Sequence, residues 1–237
     1  MPTTTIITGS SRGLGRALAL SLASPGARLG LVARESEALR DTARAARERG
    51  ATVLAVAADL GEVEAAPGLA ARLLEGLGSP SLLVLGASTL GAVPLAQVLD
   101  TPDEVWLRTF QVNVLGGLAL ARRLVPAMIL AGGGTVVGVS SDAAVEAYPS
   151  WGAYGASKAA LDHALRTWAA ELEGTGLRLL SVDPGEMDTA MHHDALPEVD
   201  PATLQRPEAV ARRLLALLAT PVPSGSRITL PDWGGAA

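Results

Sequence analysis

The 237-residue chain carries a formal net charge of −5 and a pI near 5.2, which provides no basic field to displace counterions from nucleic acid. It has no cysteine, which excludes disulfides and thiolate zinc sites and fits the cytoplasm. Hydrophobic residues make up 49% and aromatics 3%, so the core must be built from Ala, Val, Leu and Ile, a mix suited to strands covered by helices on both faces.

The N-terminal stretch Met1–Thr8 has no basic region ahead of an apolar run and does not read as a signal peptide. Its apolar part, Thr4–Thr8, reads as the first strand and runs into Thr8-Gly9-Ser10-Ser11-Arg12-Gly13-Leu14-Gly15 and a helix predicted over Gly13–Ser24. Glycines at such a join allow a tight turn and let backbone N–H groups approach a pyrophosphate at the positive end of the helix. The spacing is Gly-x-x-x-Gly-x-Gly, not the commoner Gly-x-Gly-x-x-Gly, and an ordinary turn is the alternative. Lying between the first strand and the first helix, Gly9, Ser11, Arg12, Gly13, Leu14 and Gly15 are candidates for holding a dinucleotide.

The second strand, Arg28–Ala33, precedes a helix over Ser36–Arg49. An acid after such a strand binds the ribose 2′-hydroxyl of NAD, whereas an Arg accommodates the 2′-phosphate of NADP. Ala33 stands where the acid would be, Arg34 follows, and Arg12 sits in the glycine loop, so NADP(H) is favoured over NAD(H). Glu35 weighs the other way, and Arg34 could instead pair with Glu37. The remaining arginines, Arg40, Arg44, Arg47 and Arg49, interleave with Glu37, Asp41 and Glu48 as a solvated, salt-bridged helix face. Gly50 follows where a left-handed cap belongs.

A strand at Thr52–Ala57, a helix over Glu62–Leu77 and a strand at Leu82–Gly86 come next. Thr101-Pro102-Asp103-Glu104 reads as a capping box with Pro at the first position of a helix over Pro102–Leu130. The uncharged stretch Leu124–Ser141 could suggest a membrane span, but Pro126 and Gly132-Gly133-Gly134 divide it into a helix end, a turn and the strand Thr135–Ser140. A soluble protein is expected. The pattern closes with a helix over Gly152–Glu173, a strand at Leu177–Val182, a helix over Pro207–Ala219 and a strand at Arg227–Leu230. Pro197–Pro207 is the one long irregular segment, too short for a second domain. Strand–helix alternation implies one α/β domain over residues 1–237: a doubly wound parallel sheet of about seven strands, with helices on both faces and its ligand beyond the carboxyl ends of the strands.

Tyr154-Gly155-Ala156-Ser157-Lys158 puts a phenol and an ammonium four residues apart, on one face of a helix. A nearby cation favours phenolate, so Lys158 is expected to lower the Tyr154 pKa toward usable pH. The tyrosine could then give a proton to a carbonyl oxygen or take one from an alcohol. The bland alternative is a surface pair on a helix.

With the glycine loop, this pair resembles the short-chain dehydrogenase/reductase family, in its compact single-domain branch, over essentially the whole chain. The resemblance implies a Rossmann-type fold, a nicotinamide cofactor and hydride transfer between a carbonyl and an alcohol. It implies a catalytic serine thirteen residues before the tyrosine, at Ser141 with Ser140 the fallback, whose hydroxyl stabilises charge on the reacting oxygen. It implies a catalytic asparagine at Asn113, holding a water near the lysine; a helix kink filled by that amide is the alternative. Asp59 and Leu60 match a pair that contacts adenine, Asp59 being alternatively an N-cap. Pro184 and Gly185 match the turn beside the nicotinamide, and Met187 and Thr189 match residues that hold its carboxamide, while Tyr154 and Lys158 also contact the cofactor. One departure stands out: Leu85-Gly86-Ala87-Ser88 replaces the usual Asn-Asn-Ala-Gly, which bears on loop stability, although Gly86 and Ala87 leave room for the cofactor ribose.

The small-molecule substrate should meet Tyr148, Trp151 and the segment Glu186–Arg206, in a pocket walled by aliphatics. His192 and His193 read as a solvent-exposed lid rather than metal ligands, His163 as structural, and no metal is expected. The turn Pro184–Thr189 and this lid are similar to those of sepiapterin- and benzil-type carbonyl reductases. A 3-oxoacyl-carrier-protein reductase is the rival within the family. A non-catalytic NADP-sensing regulator need not retain Ser141, Tyr154 and Lys158, and a sugar-nucleotide epimerase generally needs a larger C-terminal region. The resemblance also implies a homodimer or homotetramer, packed through the helices that carry Asn113 and Tyr154, while the charge and the broken apolar stretch speak against a nucleic-acid or membrane partner.

Overall fold

A computed structural model of the chain describes residues 3–34 and 36–234. Glu35, weighed above against an NADP preference, lies outside the described residues, as do the first two residues of the N-terminal stretch. Seven strands form one parallel sheet: β1 (Thr4–Thr8), β2 (Arg28–Ala33), β3 (Thr52–Ala57), β4 (Leu82–Leu85), β5 (Gly134–Val139), β6 (Leu177–Asp183) and β7 (Arg227–Thr229). Their order is β3-β2-β1-β4-β5-β6-β7, with Ile6 opposite Gly30 on one side and Leu83 on the other. The connection reverses direction between β1 and β4, the switch point at which such sheets open a ligand crevice.

Side chains alternate along each strand, and each face of the sheet has its own core. Ile7, Leu29, Leu31, Val84 and Leu180 pack with α1 (Gly13–Leu22), α2 (Glu37–Glu48) and the helix over Pro207–Leu218. Ile6, Val32, Leu83, Val136 and Leu179 pack with α3 (Ala66–Leu77) and with the helices over Gly117–Leu130 and Gly152–Glu171. Both cores are aliphatic, as the composition requires.

The α2 helix behaves as its sequence predicts. Ser36 caps its start by accepting the Leu39 N–H, and Gly50, at φ +91°, closes its end with N–H bonds from Gly50 to Arg47 and from Ala51 to Ala46. Arg44 pairs with Asp41 at 2.8 Å on the exposed face.

The long helix over Pro102–Leu130 differs from expectation. It is α4 (Asp103–Phe110), a π-helical turn at Gln111–Gly116, and α5 (Gly117–Leu130). The capping box does not form: Pro102 is extended at ψ 148°, and the Thr101 hydroxyl donates backward to the carbonyls of Ala96 and Gln97. Pro126 does not end the helix, which continues to Leu130 before the turn at Gly132 and Gly133. This run is apolar and long enough to cross a membrane by composition, yet 56% of its most apolar window is buried inside the domain. The segment read as irregular is preceded by a short helix, α7 (Ala190–Ala195); α6 (Gly152–Glu171) and α8 (Pro207–Leu218) complete the set.

Candidate active site

The carboxyl ends of the strands surround a cavity of about 820 Å³. Every site residue predicted from sequence lines it except Asn113. One wall is the turn between β1 and α1. Gly9 sits at φ +73°, and a Cβ there would lie 2.6 Å from the Gly86 carbonyl oxygen; a Cβ at Gly15 would collide with the Gly9 carbonyl. Backbone therefore packs on backbone. Arg12, the residue before α1, is extended and provides no side-chain cap, so the first-turn N–H groups of a ten-residue helix keep no side-chain partner where Gly13, Leu14 and Gly15 line the cavity. That cradle fits a pyrophosphate.

The unusual loop after β4 has its own brace. The Thr8 hydroxyl donates to the Val84 carbonyl at 3.2 Å and accepts the N–H groups of Gly86 and Ala87 at 3.0 and 3.2 Å. Asn113 takes the next step by accepting the Thr89 N–H at 2.7 Å and donating to the Thr89 carbonyl at 2.9 Å. Its amide also donates to the Ser157 hydroxyl at 2.9 Å. Asn113 thus fills the π-helical turn and ties the β4 loop to α6, which favours the kink alternative over direct cavity contact. A Cβ at Gly116 would collide with the Leu60 carbonyl, so the widened turn also lets this helix close on the β3 loop.

Ser11, Arg12, Arg34, Asp59 and Leu60, the residues expected around the adenosine, all line the cavity. Among the described residues Arg34 makes no ion pair with Glu37, the alternative considered for it. Asp59 does not cap a helix; it accepts the Gly61 N–H at 2.8 Å in a turn and pairs with Arg108 of α4. Burial pushes the Asp59 carboxyl up, but the Gly61 N–H, Arg108 and Arg34 outweigh it and hold it below the ordinary carboxylate value. Arg108 was missed from sequence, since it stands 49 residues from its partner with no local pattern to mark it.

Tyr154 and Lys158 are both buried on α6, with the Lys158 Nζ 5.5 Å from the centre of the Tyr154 ring. The expectation that Lys158 lowers the tyrosine is corrected. Burial pushes the Tyr154 phenol up to about 12, with the carboxylates of Asp142 and Asp183 acting in the same direction, while the hydroxyls of Ser141 and Ser88 act against it. Burial likewise pulls Lys158 down to about 8, against the carboxylates of Asp162 and Asp183, and its ammonium donates to the Val139 carbonyl at 2.8 Å.

Ser140 and Ser141 both line the cavity, and it is the Ser141 hydroxyl that acts on the phenol. The Ser140 hydroxyl is buried and donates to Asp162 at 2.7 Å. The Ser141 hydroxyl donates to Asp142 at 2.8 Å and accepts the Ala143 N–H at 3.2 Å. Ser88 also lines the cavity, with its buried Oγ beside the Tyr154 phenol on which it acts. Sequence reading missed both Ser88 and Asp142.

The opposite mouth carries more ring surface than the composition implied. Tyr148, Trp151 and Tyr154 form a chain of edge-on rings, with centroids 6.5 and 5.5 Å apart. Ser150, at φ +71°, makes the bend between the first two. Leu90, Ala143, Met191 and Leu196 supply the aliphatic wall. Pro184, Gly185, Met187 and Thr189 line the floor, and the Thr189 methyl sits over Gly13. Of the segment Glu186–Arg206, only residues up to Leu196 reach the cavity. His192 and His193 are half-buried rather than a solvent-exposed lid, held by Glu186 at 3.4 Å and Asp188 at 2.8 Å. His163 is exposed on α6, and no cluster of three metal-ligating side chains occurs among the described residues.

Residues 3–200 match the family model described as short chain dehydrogenase. A short chain dehydrogenase of Pseudocercospora fijiensis is 33% identical over 190 residues, which cover 79% of this chain and 60% of that protein. The glycine betaine reductase ATRR of Emericella nidulans is 33% identical over 224 residues, 91% of this chain but 17% of that much longer protein. Among solved structures, a short chain dehydrogenase of Shigella flexneri complexed with NADP superimposes with a TM-score of 0.88 at 26% identity, over 97% of each chain.

Proposed function

The chain belongs to the short-chain dehydrogenase family, and on that premise we propose that it is an NADP(H)-preferring oxidoreductase that interconverts a carbonyl and an alcohol on a small molecule. The observation that carries this reading is one cavity with Tyr154, Ser141 and Lys158 at one end and the glycine turn, Arg12 and Arg34 at the other. The NADP complex of the Shigella flexneri relative supports the cofactor choice. A bound nicotinamide would exchange the hydride. The residues of this chain handle the proton.

In the reductive direction Tyr154 starts as a neutral phenol, because burial holds its proton. It gives that proton to the oxygen of the substrate as negative charge develops there. The Ser141 hydroxyl, turned from Asp142 toward the same oxygen, stabilises that charge. Lys158, when protonated, stabilises the phenolate left behind. Asn113 acts on this site from behind, by fixing the β4 loop and α6.

Carboxylates of Asp142, Glu146 and Glu186 surround the Tyr148 hydroxyl at the mouth, so a substrate panel should include carbonyl compounds bearing an amine. Exposed apolar side chains on the α4 side, Val98, Leu99 and Leu107, with Leu99 96% exposed, support a homo-oligomer. We place the protein in the cytoplasm on its lack of cysteine.

The test is turnover of NADPH and NADH against a panel of carbonyls and alcohols, for the wild type and Tyr154→Phe. NADPH-dependent reduction that falls by roughly 10²–10⁴-fold in the variant, with NADPH binding kept, is the expected result. Cofactor binding without turnover of any compound would favour the regulator. Preference for NADH would overturn the role given to Arg34.

A further inference from the structure

The last strand of the sheet contributes a side chain that braces residues lining the cavity from behind. Arg227 of β7 lies outside the stretch that matches the family model, and its side chain is 18% exposed. Its guanidinium reaches three other parts of the chain. Nε donates to Asp162 Oδ2 on α6 at 3.1 Å, and Nη2 donates to Asp183 Oδ2 at the end of β6 at 3.1 Å. Nη2 also donates to the backbone carbonyl of Ser141 at 2.8 Å, and Nη1 to the Thr229 hydroxyl at 3.2 Å.

The two carboxylates are buried, at 5% and 3% exposure. Asp162 follows Lys158 by one helical turn and accepts the Ser140 hydroxyl; Asp183 accepts the Gly185 N–H at 3.0 Å and so holds the turn on the cavity floor. Two buried carboxylates need a countercharge; Lys158 acts on both by its charge, but among the described residues its hydrogen bond goes to Val139 and to neither carboxylate. A guanidinium suits the task because its planar fork can serve two carboxylates and a carbonyl together, which an ammonium on a flexible stem does poorly.

Resting on the proposed function, we propose that Arg227 is a positioning residue of the proton-transfer site: it fixes the Ser141 backbone and neutralises the two carboxylates flanking Lys158, so that docking of β7 completes the site. The contact with the Ser141 carbonyl carries the argument, since a charge-balancing arginine needs only the carboxylates. Displacing Ser141 by a fraction of an ångström would misalign its hydroxyl with the reacting oxygen.

The test compares full-length Arg227→Met, Arg227→Lys and the charge-balanced triple variant Asp162→Asn, Asp183→Asn, Arg227→Met. Arg227→Met should lower kcat by roughly 10–100-fold while KM for NADPH stays within about twofold. Amide hydrogen exchange over residues 141–145 should quicken about tenfold in the same variant, while β1 stays protected. Arg227→Lys should recover part of the rate, and the triple variant should remain slow although its buried charge is balanced. Wild-type kcat and exchange in Arg227→Met would overturn the proposal. So would full recovery in the triple variant, which would reduce Arg227 to a countercharge. Should Arg227→Met not fold, the lysine and triple variants decide the question. The exchange measurement uses no substrate, so a chain that turns over no carbonyl would count against the proposed function alone.

Discussion

The Lys158 ammonium lies 5.5 Å from the centre of the Tyr154 ring and gives its hydrogen bond to the Val139 carbonyl, 2.8 Å away. Burial moves the two groups in opposite directions, the phenol up to about 12 and the ammonium down to about 8. The phenol therefore holds its proton throughout the neutral range, and Lys158 is the group that changes charge. Reduction leaves a phenolate that needs the charged lysine, and the lysine is charged below its pKa. Carbonyl reduction should accordingly be level below about pH 8 and fall above it, by tenfold per pH unit at the limit. In Lys158→Arg the fall should vanish from this range, because a guanidinium keeps its proton. A pH profile of kcat/KM checks both; a break at the same pH in the two proteins would remove Lys158 from the explanation.

Arg12 and Arg34 line the cavity together with Arg108, which is already engaged by Asp59, so on the proposed function they are the cations left for a 2′-phosphate. Hydrogen bonds to a charged group are worth about 1.5–3 kcal/mol, or roughly ten- to a hundredfold in binding. Arg34→Ala should weaken NADPH by about that factor and leave NADH within a few fold. Fluorescence titration with both cofactors separates the cases, and an equal loss for the two would mean that Arg34 does not touch the 2′-phosphate.

Gly15→Ala should abolish binding of either cofactor. The added methyl would strike the Gly9 carbonyl, and Gly9 at φ +73° has the Gly86 backbone behind it, so the turn has no direction in which to yield. Calorimetry with NADPH measures the loss, and binding within threefold of wild type would show that the turn is looser than its packing implies.

Thr8→Val keeps the shape of the side chain and removes the hydroxyl that accepts the Gly86 and Ala87 N–H groups. An unpaired donor costs about 1–3 kcal/mol, so the melting temperature should drop by roughly 3–8 °C. The same threonine explains how the loop survives without the asparagines usual there: its hydroxyl and the Asn113 amide share the bracing between them. An unchanged melting temperature would leave the departure at Leu85–Ser88 unexplained.

What the sequence made legible follows from the range of the interactions. All seven strands appear within a residue of their predicted ends, because alternation and glycine turns are local signals, whereas α3 starts four residues later than predicted, the helix over Pro102–Leu130 is interrupted by a π-helical turn and α7 was not foreseen. Glycine turn, tyrosine, lysine and Ser141 were legible as a spaced set. Contacts between distant segments were not. Arg108 with Asp59, Arg227 with Asp162 and Asp183, and the buried Ser88 hydroxyl beside Tyr154 depend on how strands and helices meet in space. The sign of the Tyr154 shift was misjudged for the same reason: spacing reveals the neighbouring cation, whereas burial, the larger cause, belongs to the folded chain.

Asn113 separates two accounts of one residue. As a holder of water near Lys158 it would matter to the rate and little to the fold. As built, it makes three hydrogen bonds, two to the Thr89 backbone and one to the Ser157 hydroxyl, and does not line the cavity. Asn113→Ala would leave the Thr89 N–H unpaired and free the β4 loop from α6. A loss of about 2–4 kcal/mol in stability is expected, with faster amide exchange at the β4 loop and a fall in kcat that follows from it. Denaturant unfolding and exchange measured beside kinetics distinguish the accounts. A large drop in kcat with stability and loop exchange unchanged would mean that the amide acts through water after all, and that the brace between Thr89 and Ser157 is incidental.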